Sequence, residues 1–298
     1  MKISLNWLNT YIPIDIPAAD LADRLTMTGL EVEALYDRFA YLDRIVVGRV
    51  TDIQPHPKAD KLKLCRVNMG NEAASIVCGA PNVAVDGKYP CALPGAQLPG
   101  GLIVEKTRIR DADSEGMLCS EGELELGPDF SGLMALDRGL AEGTPLSRAL
   151  NLSDHVFEIG LTPNRPDCLS FIGIAREAAA LTGNPLTPPA VEPAQNPGRI
   201  SELTAVTIVN PDLCPRYAAR LVTGITVGPS PFWLQDRLRA IGLKPINNIV
   251  DITNFVMMET GQPLHAFDFD RLAGHRIVVQ TARAAEPFTT LDGKSHKL

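Results

Sequence analysis

Between Lys244 and Asp270 the sequence KPINNIVDITNFVMMETGQPLHAFDFD concentrates side chains suited to hold and polarise a small ligand. Asn247, Asp251 and Asn254 recur three or four residues apart, the spacing that puts them on one helix face. Ile249, Ile252 and Val256 recur on the opposite stripe, which the pattern predicts to be buried. Gly261 stands where a helix-terminating glycine belongs. Gln262, Pro263 and His265 follow on a short, rigid turn. A polar helix face beside an imidazole can build a small pocket for a hydrogen-bonding ligand, since imidazole donates or accepts near neutral pH. His265, Asp268 and Asp270 also invite a metal reading. No fourth ligand stands at a standard spacing, so no metal is expected there.

Other residues with chemical potential read as structural. In TPNRPDCLS, Asn164, Arg165 and Asp167 resemble a catalytic triplet. Two prolines in a tight polar turn more simply reverse the chain, with Asp167 capping the next helix. His56, Lys58, Lys61, Lys63 and Arg66 form one basic cluster, and Lys106, Arg108 and Arg110 a second. Acidic residues from Asp111 through Glu125 offset them. Tyr89 is the one aromatic between Arg44 and Phe130, which is sparse for a surface that stacks bases. The six cysteines are scattered with no CxxC pair, so they read as buried free thiols rather than a zinc site. No glycine-rich phosphate loop is present.

The elements that position these residues fall into three groups. The 298 residues are too many for one small core. Pro17, Leu21, Leu25 and Gly29 predict a helix, followed by a strand in LEVEALY. From about residue 40 to 150, short β-rich runs between Pro, Gly and Asn clusters predict a small closed barrel. Residues 151–190 return to a strand, a Pro-rich turn and a helix ended by Gly183. Asn184 to Gly198 reads as a semi-stiff linker. Beyond it, LTAVTIVN and CPRYAARLVTGITV read as strands. Ser230 and Pro231 open a helix with Leu234, Leu238 and Ile241 on one face. Asp292-Gly293 signals a hairpin whose return strand barely begins, so the sequence reads as a piece of a longer chain. The net charge of −7 provides no global field for nucleic acid. No run of apolar residues is long enough to span a membrane, and the first residues are not a secretory signal, so a cytoplasmic location is expected.

The Lys244–Asp270 stretch closely resembles the beta subunit of bacterial phenylalanyl-tRNA synthetases, in the domain where that family hydrolyses mischarged tRNA. HPKADKLKLCRV, IVCGAPNV and SEGMLCSEGELEL are similar to the family's tRNA-binding barrel, with Asp111 where a glycine is usual. The resemblance implies an α+β multidomain protein. An oligonucleotide-binding (OB-fold) barrel over 40–150 is inserted in a discontinuous α+β domain of 1–39 plus 151–190, and 191–298 is the first part of an editing domain. It implies His265 and Asn254 as catalytic residues and Lys244 and Pro263 as substrate-binding residues. Lys58, Lys61, Lys63 and Arg66 become weak tRNA contacts. Relatives often carry arginine where Lys244 stands, and lysine lacks its bidentate grip. The implied partners are the alpha subunit, in an α2β2 assembly, and tRNA(Phe). ATP and Mg²⁺ serve the holoenzyme and are not expected in this region. The rival reading is a non-catalytic tRNA-binding or scaffold protein that uses the barrel alone. It requires tRNA affinity to survive deletion of residues 198–298.

Overall fold

The computed structural model describes residues 1–193, 198–290 and 293–298. It divides into two compact units. One comprises Met1–Pro189 with Pro229–Pro263, the other Ala190–Gly228 with Leu264–Leu298. The expected third domain, 191–298, is therefore not one compact body: its helical part packs with the first unit.

The first unit opens with β1 (Lys2–Ser4) and a one-turn helix α1 (Leu5–Leu8). Ser4 starts the helix because its hydroxyl accepts the Trp7 N–H at 3.1 Å. Helix α2 (Ala18–Met27) starts behind Pro17 and buries Leu21 and Leu25. It ends at Gly29, whose φ of +90° lets the Leu30 N–H return to the Leu25 carbonyl. Strand β2 (Glu31–Asp37) follows.

An inserted lobe comes next. Strands β3 (Ile45–His56), β4 (Ala59–Asn68), β5 (Ala73–Cys78), β6 (Lys88–Ala92) and β9 (Met117–Leu118) form one antiparallel sheet in the order β5-β4-β3-β6-β9. Strands β7 (Thr107–Ile109) and β8 (Ala112–Ser114) make a separate hairpin. Both faces of the sheet are covered. Val46, Val50, Cys65, Val67 and Ile76 pack on one side, and Ile45, Val47, Leu124 and Leu146 on the other. At Gly48 a Cβ would meet Val67 Cγ1 of the neighbouring strand β4 at 2.7 Å.

Among the described residues this sheet does not close into the expected barrel. Its edge strands β5 and β9 form no ladder with each other. Three bonds bridge that gap instead: Glu115 N–H to the Ser75 carbonyl at 2.9 Å, Ser75 N–H to Glu115 Oε2 at 3.4 Å, and Val77 N–H to Ser114 Oγ at 3.1 Å. The Ser114 side chain thus takes a position that a backbone carbonyl holds in a ladder. Five of the six free cysteines are buried, four of them in this lobe.

After a short helix α3 (Leu146–Ala149), strand β10 (His155–Gly160) enters between β1 and β2, giving an antiparallel sheet in the order β1-β10-β2. Asp37 pairs with His155 and the Arg38 N–H bonds the Asp154 carbonyl at 2.9 Å, so both ends of the insertion meet at one point. Replacing residues 40–151 with a short Gly/Ser linker is therefore expected to leave a remainder that unfolds in one cooperative step in urea. A broad, non-cooperative transition would count against an independent insertion.

Helix α4 (Phe171–Thr182) is capped by Ser170, which accepts the Gly173 N–H at 2.9 Å. Asp167, the expected cap, is engaged elsewhere. A Cβ at Gly173 would lie 1.9 Å from the Asp167 carbonyl oxygen, so only glycine fits beneath the preceding turn. The start of the expected linker is anchored. Thr187 N–H bonds the Tyr11 carbonyl at 2.7 Å, and Leu186 packs on the core.

In the second unit β11 (Ala205–Ile208) runs with a partner further along the chain. The intervening stretch 214–227, expected to be a strand, forms none. Helices α5 (Phe232–Ala240) and α6 (Asn248–Thr260) belong to the first unit. Pro231, not Ser230, precedes α5, and Leu234, Leu238 and Ile241 are buried as their spacing requires. Back in the second unit, β12 (Arg276–Val279) pairs in parallel with β11, and β13 (Pro287–Thr289) pairs antiparallel with β14 (Ser295–Lys297). Asp292 of the expected Asp-Gly turn lies outside the described residues.

The helical segment joins the first unit through rings. The Trp7 indole stacks on Phe171 at 3.8 Å and on Phe255 of α6 at 4.7 Å, and Trp233 of α5 meets Phe255 edge-on at 5.7 Å. The Trp7 Nε1–H donates to Tyr11 Oη at 2.9 Å, and that hydroxyl donates to Glu259 of α6 at 2.6 Å. Burial, with Glu259 beside it, pushes the Tyr11 phenol above its usual range.

Candidate functional site

Helix α6 carries the polar residues singled out by spacing, but its inner stripe is not the expected one. Asp251, expected on the open face, is 0 % exposed, while Ile252, expected inside, is 50 % exposed. Asp251, Phe255 and Met258, at i, i+4 and i+7, form the inner stripe, because Phe255 and Met258 pack on the core around Trp7 and Phe171. Asn247 is not on a helix face at all. It is the N-cap, its Oδ1 accepting the Ile249 and Val250 N–H groups at 3.0 Å each. Gly261 closes the helix at φ +77°, as its position requires.

The Asp251 carboxylate is fully used. Oδ2 accepts the Ser230 hydroxyl at 2.5 Å and Oδ1 accepts the Ile246 N–H at 2.8 Å. It thereby ties the Lys244–Asn247 turn and the start of α5 to the body of α6. Asn254, one turn further on, is half-buried, and its amide makes no hydrogen bond among the described residues. Lys244 is exposed and forms no ion pair among them.

Lys244, Asn254 and Pro263 belong to the first unit and His265 to the second. His265 is exposed on an irregular stretch, its ring 4.4 Å from that of Phe267. Of the two acids after it, Asp268 is occupied locally: it accepts the Asp270 N–H at 3.2 Å and pairs with Arg271 at 3.3 Å.

The inserted lobe modifies the charge picture. Lys58 pairs with Asp111 at 2.5 Å, Lys106 with Glu115 at 3.1 Å and Arg108 with Asp113 at 3.8 Å. Arg66 reaches Ser75 Oγ at 3.5 Å. Lys61 and Lys63 are left without an ion pair among the described residues. His56, counted with this cluster from sequence, is buried: Nδ1 accepts the Lys58 N–H and Nε2 bonds the Ile109 carbonyl, both at 3.1 Å. With Nδ1 accepting, Nε2 carries the proton, and the ring is a fastener for the β7–β8 hairpin. Tyr89 is buried with its hydroxyl between Ala84 N–H and the Asn82 carbonyl, so it cannot stack a base. Phe130, an exposed ring that the sequence reading passed over, could.

At TPNRPDCLS the structure supports a turn rather than a catalytic triplet. Arg165 bonds both Asp167 oxygens and also Glu177 of α4 at 2.8 Å. The Arg165 hydrogen bonds hold the Asp167 carboxyl down to about 2. Asp167, Cys168 and Glu177 lie close enough together to ligate a cation. The Arg165 guanidinium already fills that role, so the cluster does not fit Mg²⁺. Two open clefts of about 300 and 380 Å³ flank Arg38, which bonds Asp236 through both Nη atoms. Neither is lined by Lys244, Asn254, Pro263 or His265. Among the described residues, no helix is long and apolar enough to cross a membrane.

Comparison with known proteins bears on the same regions. The family model for the tRNA binding domain matches residues 45–145, and that for the B3/4 domain matches residues 213–298. Phenylalanine–tRNA ligase beta subunits from Syntrophus aciditrophicus and Moorella thermoacetica are 50 % and 48 % identical to this sequence over 100 % of its length. The chain spans 37 % and 38 % of those two relatives. Among solved structures, the C-terminal domain of Plasmodium vivax p43 aligns over 34 % of this chain and 59 % of its own. Its identity is 21 % and its TM-score 0.26, too low to carry an argument. From end to end, this chain is similar to a part of the phenylalanine–tRNA ligase beta subunits.

Proposed function

We propose that this region serves a cytoplasmic phenylalanine–tRNA ligase, assembled with an alpha subunit as α2β2, that joins phenylalanine to tRNA(Phe) with ATP and Mg²⁺. The charging chemistry belongs to the alpha subunit. The inserted lobe is an OB-fold-type module whose tRNA contact is weak and rests on Lys61, Lys63 and Arg66, with Lys58 paired to Asp111. The segment from residue 191 onward contributes the first part of an editing domain. The observation that carries this reading is the unbroken similarity over all 298 residues.

Editing answers a physical limit. Tyrosine differs from phenylalanine by one hydroxyl, and an apolar pocket rejects such an addition by only about a hundredfold. A second site that hydrolyses tyrosyl-tRNA restores fidelity. An aminoacyl ester is already activated, so that site needs oriented hydrogen-bonding groups more than a nucleophile. In this proposal His265 positions the attacking water or the leaving ribose oxygen. The unbonded Asn254 amide holds polar atoms of the aminoacyl group. Lys244 supplies positive charge, and Pro263 shapes the contact.

Asn254→Ala in the assembled enzyme is expected to slow tyrosyl-tRNA hydrolysis by roughly ten- to a hundredfold, with phenylalanine charging unchanged. Hydrolysis at the parent rate would remove Asn254 from the site. Equal losses in both reactions would point to a general folding defect.

A further inference from the structure

We propose that Asp251 is a positioning residue for editing: its carboxylate sets the turn that carries Lys244 against the helix that carries Asn254. This rests on the editing role proposed above for those two residues.

A carboxylate with no exposed surface is costly to bury, and among the described residues Asp251 has no cationic partner. Its charge is met by the first turn of α6, where the helix dipole favours an anion, and by two hydrogen-bond donors. An apolar residue at this inner position would pack without that cost, so what the carboxylate contributes is geometry.

The two donors come from separate segments. One is the Ser230 hydroxyl, at the start of α5. Ser230 is itself held in place, since its carbonyl accepts the Gln235 side chain at 2.7 Å and Gln235 accepts Arg239 at 2.9 Å. The other donor is the Ile246 N–H, two residues after Lys244 and immediately before the Asn247 cap. Packing holds the entry to this turn, where Leu243 lies against the core, but not Lys244 or Ile246 themselves. The Ile246 side chain is 67 % exposed and Lys244 is exposed as well. The turn is fixed at its far end by the Asn247 cap and just before it by Asp251. Removing the carboxylate frees the Lys244 side of the turn while the cap keeps the helix formed.

The test uses the complete beta subunit assembled with its alpha subunit. Rates of tyrosyl-tRNA hydrolysis and of phenylalanine charging are measured for Asp251→Ala, Asp251→Asn and, in parallel, His265→Ala. Asp251→Ala is expected to slow hydrolysis by about ten- to a hundredfold with charging unchanged, the cost of a small misplacement away from the chemistry. Asp251→Asn keeps the acceptor for Ile246 and is expected to recover to within about threefold of the parent. A merely structural role would lower both reactions together and give no selective loss. His265→Ala slow with Asp251→Ala at the parent rate would overturn this proposal and leave the editing reading standing. His265→Ala at the parent rate would overturn the reading beneath it. Should Asp251→Ala fail to assemble, Asp251→Leu, which keeps side-chain volume but removes the acceptor for the Ile246 N–H, carries the test. The same selective loss is expected, and a parent rate would overturn the proposal.

Discussion

Replacing His265 with alanine in the complete ligase is expected to slow the hydrolysis of tyrosyl-tRNA by roughly ten- to a thousandfold, and tyrosine-charged tRNA accumulates as a result. The size follows from removing one preorganised hydrogen-bonding group from a reaction whose ester is already activated. The test is clean because His265 is exposed and its recorded contact is with the Phe267 ring. Truncating an exposed side chain changes stability by at most about 0.5 kcal/mol. Phenylalanine charging therefore stays near the parent rate, and the two reactions separate. Deacylation assays with preformed tyrosyl-tRNA and single-turnover enzyme would measure the effect. A parent-like rate would show that the hydrolytic chemistry lies elsewhere in the subunit.

Trp7→Ala should be the most damaging single change to the fold, destabilising the first unit by about 3–5 kcal/mol. Trp7 is 1 % exposed and stacked against Phe171 and Phe255, so alanine leaves a cavity lined by two rings. The substitution also removes the indole donor to Tyr11, whose hydroxyl in turn holds Glu259. At about 2–4 °C per kcal/mol for a domain of this size, the melting midpoint falls by roughly 10 °C. Trp7→Phe keeps one ring of the stack and is expected to cost about half as much. Urea unfolding followed by circular dichroism measures both. A loss below about 1 kcal/mol for Trp7→Ala would mean that α6 is not held by this stack.

How much of this was readable depended on how far apart the deciding residues lie. Helix α2 followed from Pro17, Leu21, Leu25 and Gly29, all within thirteen residues. The C-cap glycines of α4 and α6, and the burial of every cysteine but the half-buried Cys214, were equally local. The faces of α6 were misread because the deciding partners, Trp7 and Phe171, lie far away in the chain. Periodicity gives Ile252 and Phe255 similar weight, and only the distant rings select Phe255. The same stack drew residues 229–263 out of the domain in which sequence had placed them. The basic cluster was overcounted because strand register decides pairing. The β7–β8 hairpin and its flanks set Lys106 and Arg108 beside Glu115 and Asp113, and the turn at Asp111 reaches Lys58. Of the candidate residues, Asn254, Pro263 and His265 stood out by type and spacing, and Lys244 entered through the family resemblance. The support beneath them, Ser230 to Asp251 to Ile246, did not, because a hydroxyl 21 residues away leaves no periodic trace.

The order of strands in β1-β10-β2 has a consequence for synthesis on the ribosome. The central strand is the last of the three to emerge, 118 residues after Asp37. At about 5–20 residues per second, the two edge strands wait roughly 6 to 24 s for it. During that interval the inserted lobe can complete its own short-range pairings, so the middle of the sequence is finished before the beginning. Trp7, Leu8, Ile12 and Leu21 meanwhile have no sheet to cover, and their second aromatic partner, Phe255, emerges later still. For this period the nascent chain presents residues 1–39 as an uncovered apolar segment tethered to the lobe. Slowing translation within residues 40–150 would lengthen that exposure without altering a single native contact.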